Sequence, residues 1–306
     1  MQSIELVKEL RELRKSLLLR QCAAFIECLR PRQWSKNGLV FAALLFSIAQ
    51  VSLVQWLDAA MAFLLFCLVS GGVYVINDYI DREKDRLHPD KAKRPIASGR
   101  LHPRAGLGGG ILILLIAIGL SFYKDTAFGG IVLLYFMSSL AYSVWLKHLI
   151  IIDVMTIAGG FVLRAVAGGI VIDRLVTAWF ALCTLLLALF LAIGKRRQEV
   201  FLLADSRGGH RQVLQDYSIE FLDQLNGIVT TAVIMSYALY TISGGKPVEL
   251  MGTVPFVIYG MFRYLYLVHS RNQGGAPEKV LFEDRPLLAA VLLWAVSVAG
   301  IQYIWG

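Results

Sequence analysis

The chain has 306 residues, of which 57% are hydrophobic and only 17% are charged. This composition is typical of a membrane protein, because apolar runs approach the length that spans the hydrocarbon core as a helix. The net charge of +8 comes with no recognisable nucleic-acid-binding module, so nucleic acid is not an expected partner. The four cysteines have no metal-type spacing and indicate no redox compartment.

The first 20 residues alternate Leu and Ile with Lys, Arg and Glu at helical spacing. This pattern predicts an amphipathic helix on the cytoplasmic leaflet, with a partner-binding helix as the alternative. The segment lacks the continuous apolar core of a cleavable signal peptide. We therefore predict two parts, an amphipathic N-terminal segment (1–37) and a single transmembrane domain (38–306).

Nine apolar runs predict an all-α integral membrane protein with nine spans. The predicted spans are 38–56, 58–77, 106–123, 126–145, 149–172, 178–194, 224–243, 253–270 and 287–304. Of the 30 Lys and Arg residues, 26 lie in the N-terminal segment and in the loops on its side of the membrane, and three lie on the opposite side. The positive-inside rule then places the N-terminus and the long loops in the cytoplasm, and the C-terminus outside.

The end of the second span carries the most informative pattern, which places four oxygen-bearing side chains within nine residues, at Asn77, Asp78, Asp81 and Asp85. At about 100° per residue, these four side chains share one face of a helix. Clustered carboxylates repel one another unless a cation joins them, and hard oxygen ligands suit Mg²⁺, which also bridges to phosphates. Basic residues follow at once in 88–95, so the order predicts a Mg²⁺–diphosphate site. A charged helix end at the membrane surface is the alternative.

Other cations lie next to span ends. Arg30, Arg32 and Trp34 precede the first span and are either interfacial anchors or ligands, whereas Lys36 is closer to the membrane and could reach a phosphate. Lys147 is almost alone on a short cytoplasmic turn, where it serves either as an anchor or as a phosphate ligand.

The fifth and sixth spans hold ionisable residues too. Asp153 and Arg164 lie inside the fifth span, where such groups normally face a cavity or a partner, so the two could line one cavity wall or form a structural pair. Lys195, Arg196 and Arg197 close the sixth span, and cations beside an apolar cavity suit a phosphorylated substrate. The small residues of 158–169 predict close helix packing rather than a nucleotide loop.

Together these features resemble the UbiA-type intramembrane prenyltransferase superfamily and, within it, the decaprenyl-phosphate phosphoribosyltransferase branch. The resemblance covers nearly the whole chain. Besides the acidic motif, it rests on the strings at 30–37, 88–97, 146–148, 164–169 and 194–196.

The resemblance implies a helical bundle around a central cavity, open sideways to lipid and capped by cytoplasmic loops, in the plasma (inner) membrane. It implies transfer of 5-phosphoribose from 5-phosphoribosyl 1-diphosphate to a polyprenyl phosphate, for lipid-linked pentose (arabinan-type) cell-envelope synthesis. Homo-oligomerisation stays open. Mg²⁺ is the expected cofactor, with Asn77, Asp81 and Asp85 as ligands and Asp78 as a ligand or orienting residue. The expected phosphate-binding residues are Lys36, Arg82, Lys91, Arg94, Lys147, Arg164, Lys195 and Arg196.

The chain departs from the superfamily after the sixth span, where most members carry a second aspartate-rich motif and transfer prenyl groups. Here that region begins with three cations and offers Glu199 and Asp205, which are about 240° apart around a helix. One metal site with many cations fits the three anionic groups of a phosphoribosyl transfer. The alternatives are an aromatic prenyltransferase and, more remotely, a transporter that uses Asp153 and Arg164.

Overall fold

The computed structural model describes residues 19–174, 176–204, 214, 216–243, 246–271, 274–275 and 277–305. These residues form α-helices and short 3₁₀ helices, and no strand occurs among them. The α-helices are α1 (19–28), α2 (Ala42–Leu45), α3 (Leu53–Ile80), α4 (Arg82–Arg86), α5 (Pro103–Lys124), α6 (Thr126–Val144), α7 (Ile152–Val171), α8 (Ala178–Ala204), α9 (Ile219–Ile242), α10 (Val254–Ser270), α11 (Pro277–Glu283) and α12 (Arg285–Trp305). The predicted amphipathic helix at 1–20 lies almost wholly outside the described residues.

Within the described chain, eight helical segments are long and apolar enough to cross a membrane. They are α3, α5, α6, α7, α8, α9, α12 and Val248–Ser270, which joins the 3₁₀ helix Val248–Thr253 to α10. Each falls on one of the predicted spans, so the all-helical membrane fold is confirmed. The predicted count of nine is not confirmed.

The first predicted span, 38–56, is wrong as a continuous helix. A 3₁₀ helix covers Pro31–Phe41, α2 has only four residues, and a second 3₁₀ helix covers Ile48–Gln50. The reason lies at Ser52 and Gln55. The amide N of Ser52 donates to Oε1 of Gln55 at 2.9 Å, and the amide N of Gln55 donates to Oγ of Ser52 at 3.4 Å. This capping box starts α3 inside the apolar run.

The chain divides into two compact units, and the described residues of the first are 19–38 and Phe63–Phe136. Its core joins α1 to the end of α3 and to the segment before α5, through buried Cys28, Val75, Ile96 and Leu101. The acidic motif and the loop that follows it both belong to this unit. The core therefore fixes the positions from which the motif and its loop extend.

The second unit comprises Leu39–Ala62 and Met137–Gly306, and in it α8 packs against both α7 and α9. A Cβ atom at Gly168 of α7 would lie 2.0 Å from the carbonyl oxygen of Val40, so only glycine permits this approach. Close packing is thereby confirmed at Gly168, whereas a Cβ at Gly159 would meet nothing within 4 Å. The predicted role of small residues holds for part of the stretch.

Candidate active site

The acidic motif keeps helical hydrogen bonding across the junction between α3 and α4. The amide N of Asp81 donates to the carbonyl oxygen of Asn77 at 2.9 Å, and the amide N of Asp85 donates to that of Asp81 at 2.8 Å. Residues four apart on a helix lie one above the other. Asn77, Asp81 and Asp85 therefore form one row at the end of a membrane-spanning helix.

Two of the motif's carboxylates are buried and paired with arginines. Asp78 is 2% exposed, and its Oδ1 accepts from Nη2 of Arg30 at 2.6 Å and from Nη1 of Arg94 at 3.1 Å. The same Nη1 of Arg94 donates to Oδ2 of Asp85 at 2.6 Å, and Asp85 is also buried. Four residues thus form a chain of charges, Arg30–Asp78–Arg94–Asp85.

Asp81 differs from its two neighbours in the motif. Its side chain is half-buried, and among the described residues it has no hydrogen-bond or ion-pair partner. No three His, Cys, Asp or Glu side chains in the described chain are grouped so that they could hold a metal ion. Three hard oxygen donors here fit Mg²⁺, namely the amide oxygen of Asn77, the open carboxylate of Asp81 and the remaining oxygen of Asp85. Mg²⁺ commonly takes one or two carboxylates and completes its shell with phosphate oxygens and water.

The cations around the motif have different environments. Arg82 donates to the carbonyl oxygen of Tyr79 at 2.8 Å and lies 4.7 Å from the centre of that ring, whereas Lys91 is exposed without a side-chain partner in the described chain. Lys36 donates to Oε1 of Gln33 at 2.5 Å. Lys91 is therefore the most available of these cations for a phosphate.

A bidentate ion pair ties the loop after the motif to α1. Arg100 donates to both carboxylate oxygens of Glu27, at 2.7 and 2.8 Å, and its carbonyl oxygen accepts from Nε2 of Gln21 at 2.9 Å. The hydrogen bond from Arg100 lowers the pKa of Glu27 below its usual value. This contact holds the loop that carries Lys91 and Arg94 against α1.

In the second unit, Arg196 lies in a buried network instead of on an open surface. Its Nε donates to Oδ2 of Asp153 at 2.6 Å, its Nη2 to Oη of Tyr142 at 3.0 Å, and its Nη1 to Glu199. All three guanidinium nitrogens are used, and the side chain is 2% exposed. This geometry does not favour the predicted direct contact between Arg196 and a phosphate.

Tyr217, which precedes α9, completes the network at the start of α7. Its hydroxyl donates to Oδ1 of Asp153 at 2.8 Å and accepts from the amide N of Ile151 at 2.7 Å. Burial and the neighbouring carboxylate raise the pKa of Tyr217 well above its ordinary range. Ile151 has φ = 68°, a left-handed conformation that is rare for a β-branched residue and persists only where its surroundings hold it.

The end of α8 corrects a second prediction. Lys195, Arg196 and Arg197 do not open a loop after residue 194, because α8 continues to Ala204. Arg197 donates to Oδ1 of Asp223 at 2.5 Å, so it serves as a tie to α9. Lys195 is 42% exposed and lies 3.9 Å from Glu199, which leaves it open to other anions. Asp205 lies outside the described residues.

The remaining predicted residues lie on α7 and just before it. Arg164 is buried, donates to the carbonyl oxygen of Gly160 at 2.9 Å and lies 5.1 Å from the centre of the Phe161 ring. The predicted cavity wall shared by Asp153 and Arg164 is revised, because both Asp153 oxygens accept from Arg196 and Tyr217. Lys147 is half-buried on the 3₁₀ helix Leu146–His148.

Sequence reasoning missed three partners. The sequence left Arg30 open as an interfacial anchor or a ligand and did not indicate its contact with Asp78, and Tyr142 and Tyr217 gave no sign that they would meet Arg196 and Asp153. The sequence offered one indication for Arg30, which is that Pro31 follows it. A proline restricts the backbone of the residue before it, so the direction of the Arg30 side chain is constrained.

Comparison with known proteins decides the family. The model of the UbiA prenyltransferase family matches residues 38–283. The chain belongs to the UbiA prenyltransferase family. The family and the membrane fold predicted from sequence are therefore confirmed.

Within this family, relatives match over most of the chain. It is 35% identical over 289 residues to a decaprenyl-phosphate phosphoribosyltransferase of Corynebacterium glutamicum, covering 91% of this chain and 86% of the relative. It is 30% identical over 297 residues to the protein of that name from Mycolicibacterium smegmatis, covering 92% and 93%. A UbiA homologue of Archaeoglobus fulgidus, solved with GPP and Mg²⁺, superposes with a TM-score of 0.70 over 92% of this chain and all of that one. At 18% identity, this likeness shows the fold alone.

Proposed function

We propose that this protein transfers 5-phosphoribose from 5-phosphoribosyl 1-diphosphate to a polyprenyl phosphate of the decaprenyl type, with release of diphosphate. The observation that carries the proposal is the match, over about nine-tenths of the chain, to relatives that bear the name of this activity. Lys195 supports it, because this partly exposed cation of α8 lies in the region where the superfamily resemblance implies acidic residues in prenyl-transferring members.

The acidic motif is proposed to bind the donor diphosphate together with Mg²⁺. Asn77, Asp81 and Asp85 are the proposed ligands, and Asp78 orients the group through its arginine partners. When bound, the metal ion stabilises the negative charge that develops on the leaving diphosphate. Asp81 is the residue on which binding depends most, since its carboxylate is uncommitted in the described chain.

Exposed and half-buried cations are proposed to position the substrate phosphates. The proposed phosphate-binding residues are Arg82, Lys91 and Lys36 in the first unit and Lys147 and Lys195 in the second, together with Arg164, which is buried. Arg94 and Arg196 were predicted as phosphate ligands too. Because buried carboxylates hold both guanidinium groups, we assign them positioning roles.

The reaction needs no general base. The second pKa of a phosphate monoester is about 6, so the acceptor phosphate is ionised near neutral pH. One of its oxygens forms a bond to the anomeric carbon of the ribose, while the bond from that carbon to the diphosphate oxygen breaks and its electron pair leaves with diphosphate. The contribution of this chain is then positioning and electrostatic stabilisation.

The proposal places the protein in the plasma (inner) membrane, with the N-terminal segment 1–37 and the long basic loops in the cytoplasm and the C-terminus outside. The transmembrane part, 38–306, carries the catalytic residues. A cysteine introduced at Trp305 of a variant without native cysteines tests the orientation. It should react with an impermeant maleimide in intact cells, and labelling only after lysis would reverse the assignment.

The decisive test of function is incubation of the purified full-length protein with Mg²⁺, phosphoribosyl diphosphate and polyprenyl phosphates of several lengths, followed by mass spectrometry of the lipids. A phosphoribosyl lipid is expected. No such product at any length would overturn the proposal. Consumption of a prenyl diphosphate with an aromatic acceptor would instead indicate an aromatic prenyltransferase.

A further inference from the structure

The charges around the acidic motif nearly cancel before any substrate is considered. Asp78 and Asp85 are buried, and Arg30 and Arg94 lie on them at 2.6–3.1 Å. Two acids and two bases sum to zero, so the open carboxylate of Asp81 is the excess charge of this row. The next acid along the chain, Glu83, pairs with Arg82 and Arg86.

This balance bears on which species the motif binds. A site with several free carboxylates attracts a bare divalent cation, because each negative charge nearby adds to the attraction. A positive charge within about 4–6 Å of a carboxylate offsets this attraction. A site with one excess carboxylate and two neighbouring arginines attracts it weakly. The positive charge of the same arginines attracts an anion that arrives with the cation, while their hydrogen bonds go to the two carboxylates.

Arg30 is held in its place by more than its charge. It has φ = 52°, which is uncommon for a residue other than glycine, and it precedes Pro31. Its guanidinium carbon lies 4.4 Å from the centre of the Tyr74 ring, and its Nη2 donates to Asp78. A simple interfacial anchor needs none of these contacts. The backbone here delivers one guanidinium group to one buried carboxylate.

We propose that Arg30 and Arg94 neutralise Asp78 and Asp85 so that the acidic motif takes a divalent cation together with a diphosphate and not alone. Arg94 contacts both acids and Arg30 contacts Asp78, so both are positioning residues. This inference rests on the proposed function, because it assumes that the motif binds a metal–diphosphate complex.

The test is Mn²⁺ binding by the purified full-length protein, followed by electron paramagnetic resonance, with and without inorganic diphosphate. The wild-type protein should bind Mn²⁺ at least about tenfold more tightly when diphosphate is present. Asp81→Asn should abolish the diphosphate-dependent binding, which assigns the signal to this motif. Equal Mn²⁺ affinity with and without diphosphate would overturn the inference.

Two variants should bind Mn²⁺ more tightly than the wild type, whereas a structural defect would weaken Mn²⁺ binding. Arg30→Gln and Arg94→Gln should each bind Mn²⁺ alone about tenfold more tightly than the wild type and lose most of the effect of diphosphate. Arg30→Lys should restore the wild-type pattern, and Lys279→Gln, at an exposed lysine of α11, should match the wild type. A merely structural role predicts weaker Mn²⁺ binding under both conditions, and that result would also overturn the inference.

The two proposals fail separately. If no phosphoribosyl lipid forms but Mn²⁺ binding depends on diphosphate as described, the donor assignment is wrong and the charge argument stands. If the phosphoribosyl lipid forms while Mn²⁺ binds equally well alone, the function stands and the role given to Arg30 and Arg94 is wrong. If Arg30→Gln does not fold, Arg94→Gln and the wild-type comparison still decide.

Discussion

Asp153 and Arg196 form an ion pair in which both side chains are buried, 0% and 2% exposed, with Nε and Oδ2 2.6 Å apart. The pair connects the first turn of α7 to the last turns of α8. Through Tyr217 it also holds the amide of Ile151, just after the turn that carries Lys147. We infer that the Asp153–Arg196 pair holds the turn that carries Lys147 in position.

Loss of either partner of the pair should destabilise the protein. Arg196→Gln leaves Asp153 as an uncompensated buried charge, which typically costs about 3–5 kcal/mol, and the double variant should recover a large part of that loss. Asp153→Asn should cost less, because Arg196 keeps its ion pair with Glu199. Thermal unfolding of the purified variants measures this. Wild-type stability of Arg196→Gln combined with strongly reduced turnover would instead make Arg196 a substrate ligand.

Replacement of Asp81 should remove activity without removing the fold. The side chain has no partner in the described chain, so Asp81→Ala should keep its place in the membrane and its unfolding temperature. Turnover should fall by orders of magnitude in kcat, because the lost contact serves the leaving group. Asp90→Ala, at an exposed acid of the following loop, is the matched control. Near-normal activity of Asp81→Ala, or full wild-type activity in excess chelator, would remove the metal from the mechanism.

Lys195 offers a test of phosphate binding on α8. A charge-assisted hydrogen bond to a phosphate contributes about 1.5–3 kcal/mol, so Lys195→Gln should lower kcat/KM by roughly ten- to more than a hundredfold. Lys279→Gln, at an exposed lysine of α11, should leave kcat/KM unchanged. Similar mild losses in both variants would show that Lys195 only sets the topology.

Asp284 should stabilise α12 in a pH-dependent way. Its Oδ1 accepts from the amide N of Leu287 at 2.9 Å, and the hydrogen bond from Arg263 lowers the pKa of Asp284. A lowered pKa gives stability that is complete above the ordinary carboxyl value of about 3.9 and is lost as the pH falls through the folded-state value. Asp284→Ala should therefore cost about 1 kcal/mol at neutral pH.

Unfolding of the wild type and Asp284→Ala across a pH series checks this prediction. The gap between the two should be constant near neutral pH and should close below about pH 4. Specific activity should not change, because Asp284 has no proposed role at the substrate. A gap that widens as the pH falls would contradict the helix-capping role.

The sequence alone determined the membrane-embedded helical class and the acidic row. Hydrophobic runs of spanning length have few alternatives to helices, because backbone groups in lipid must be paired internally. Likewise, Asn77, Asp81 and Asp85 are close neighbours in the chain, so their common face follows from helical periodicity and needs no tertiary information. Both features depend on local sequence.

Tertiary structure decided how the charges are distributed among partners. Arg30 and Asp78 are 48 residues apart, Asp153 and Arg196 are 43 apart, and no periodicity relates such positions. Adjacent cations therefore looked equivalent, although Lys195 is partly exposed and Arg196 is buried with all its nitrogens bonded. Burial of a charge demands a specific partner, and only the packing of helices distant in sequence supplies one.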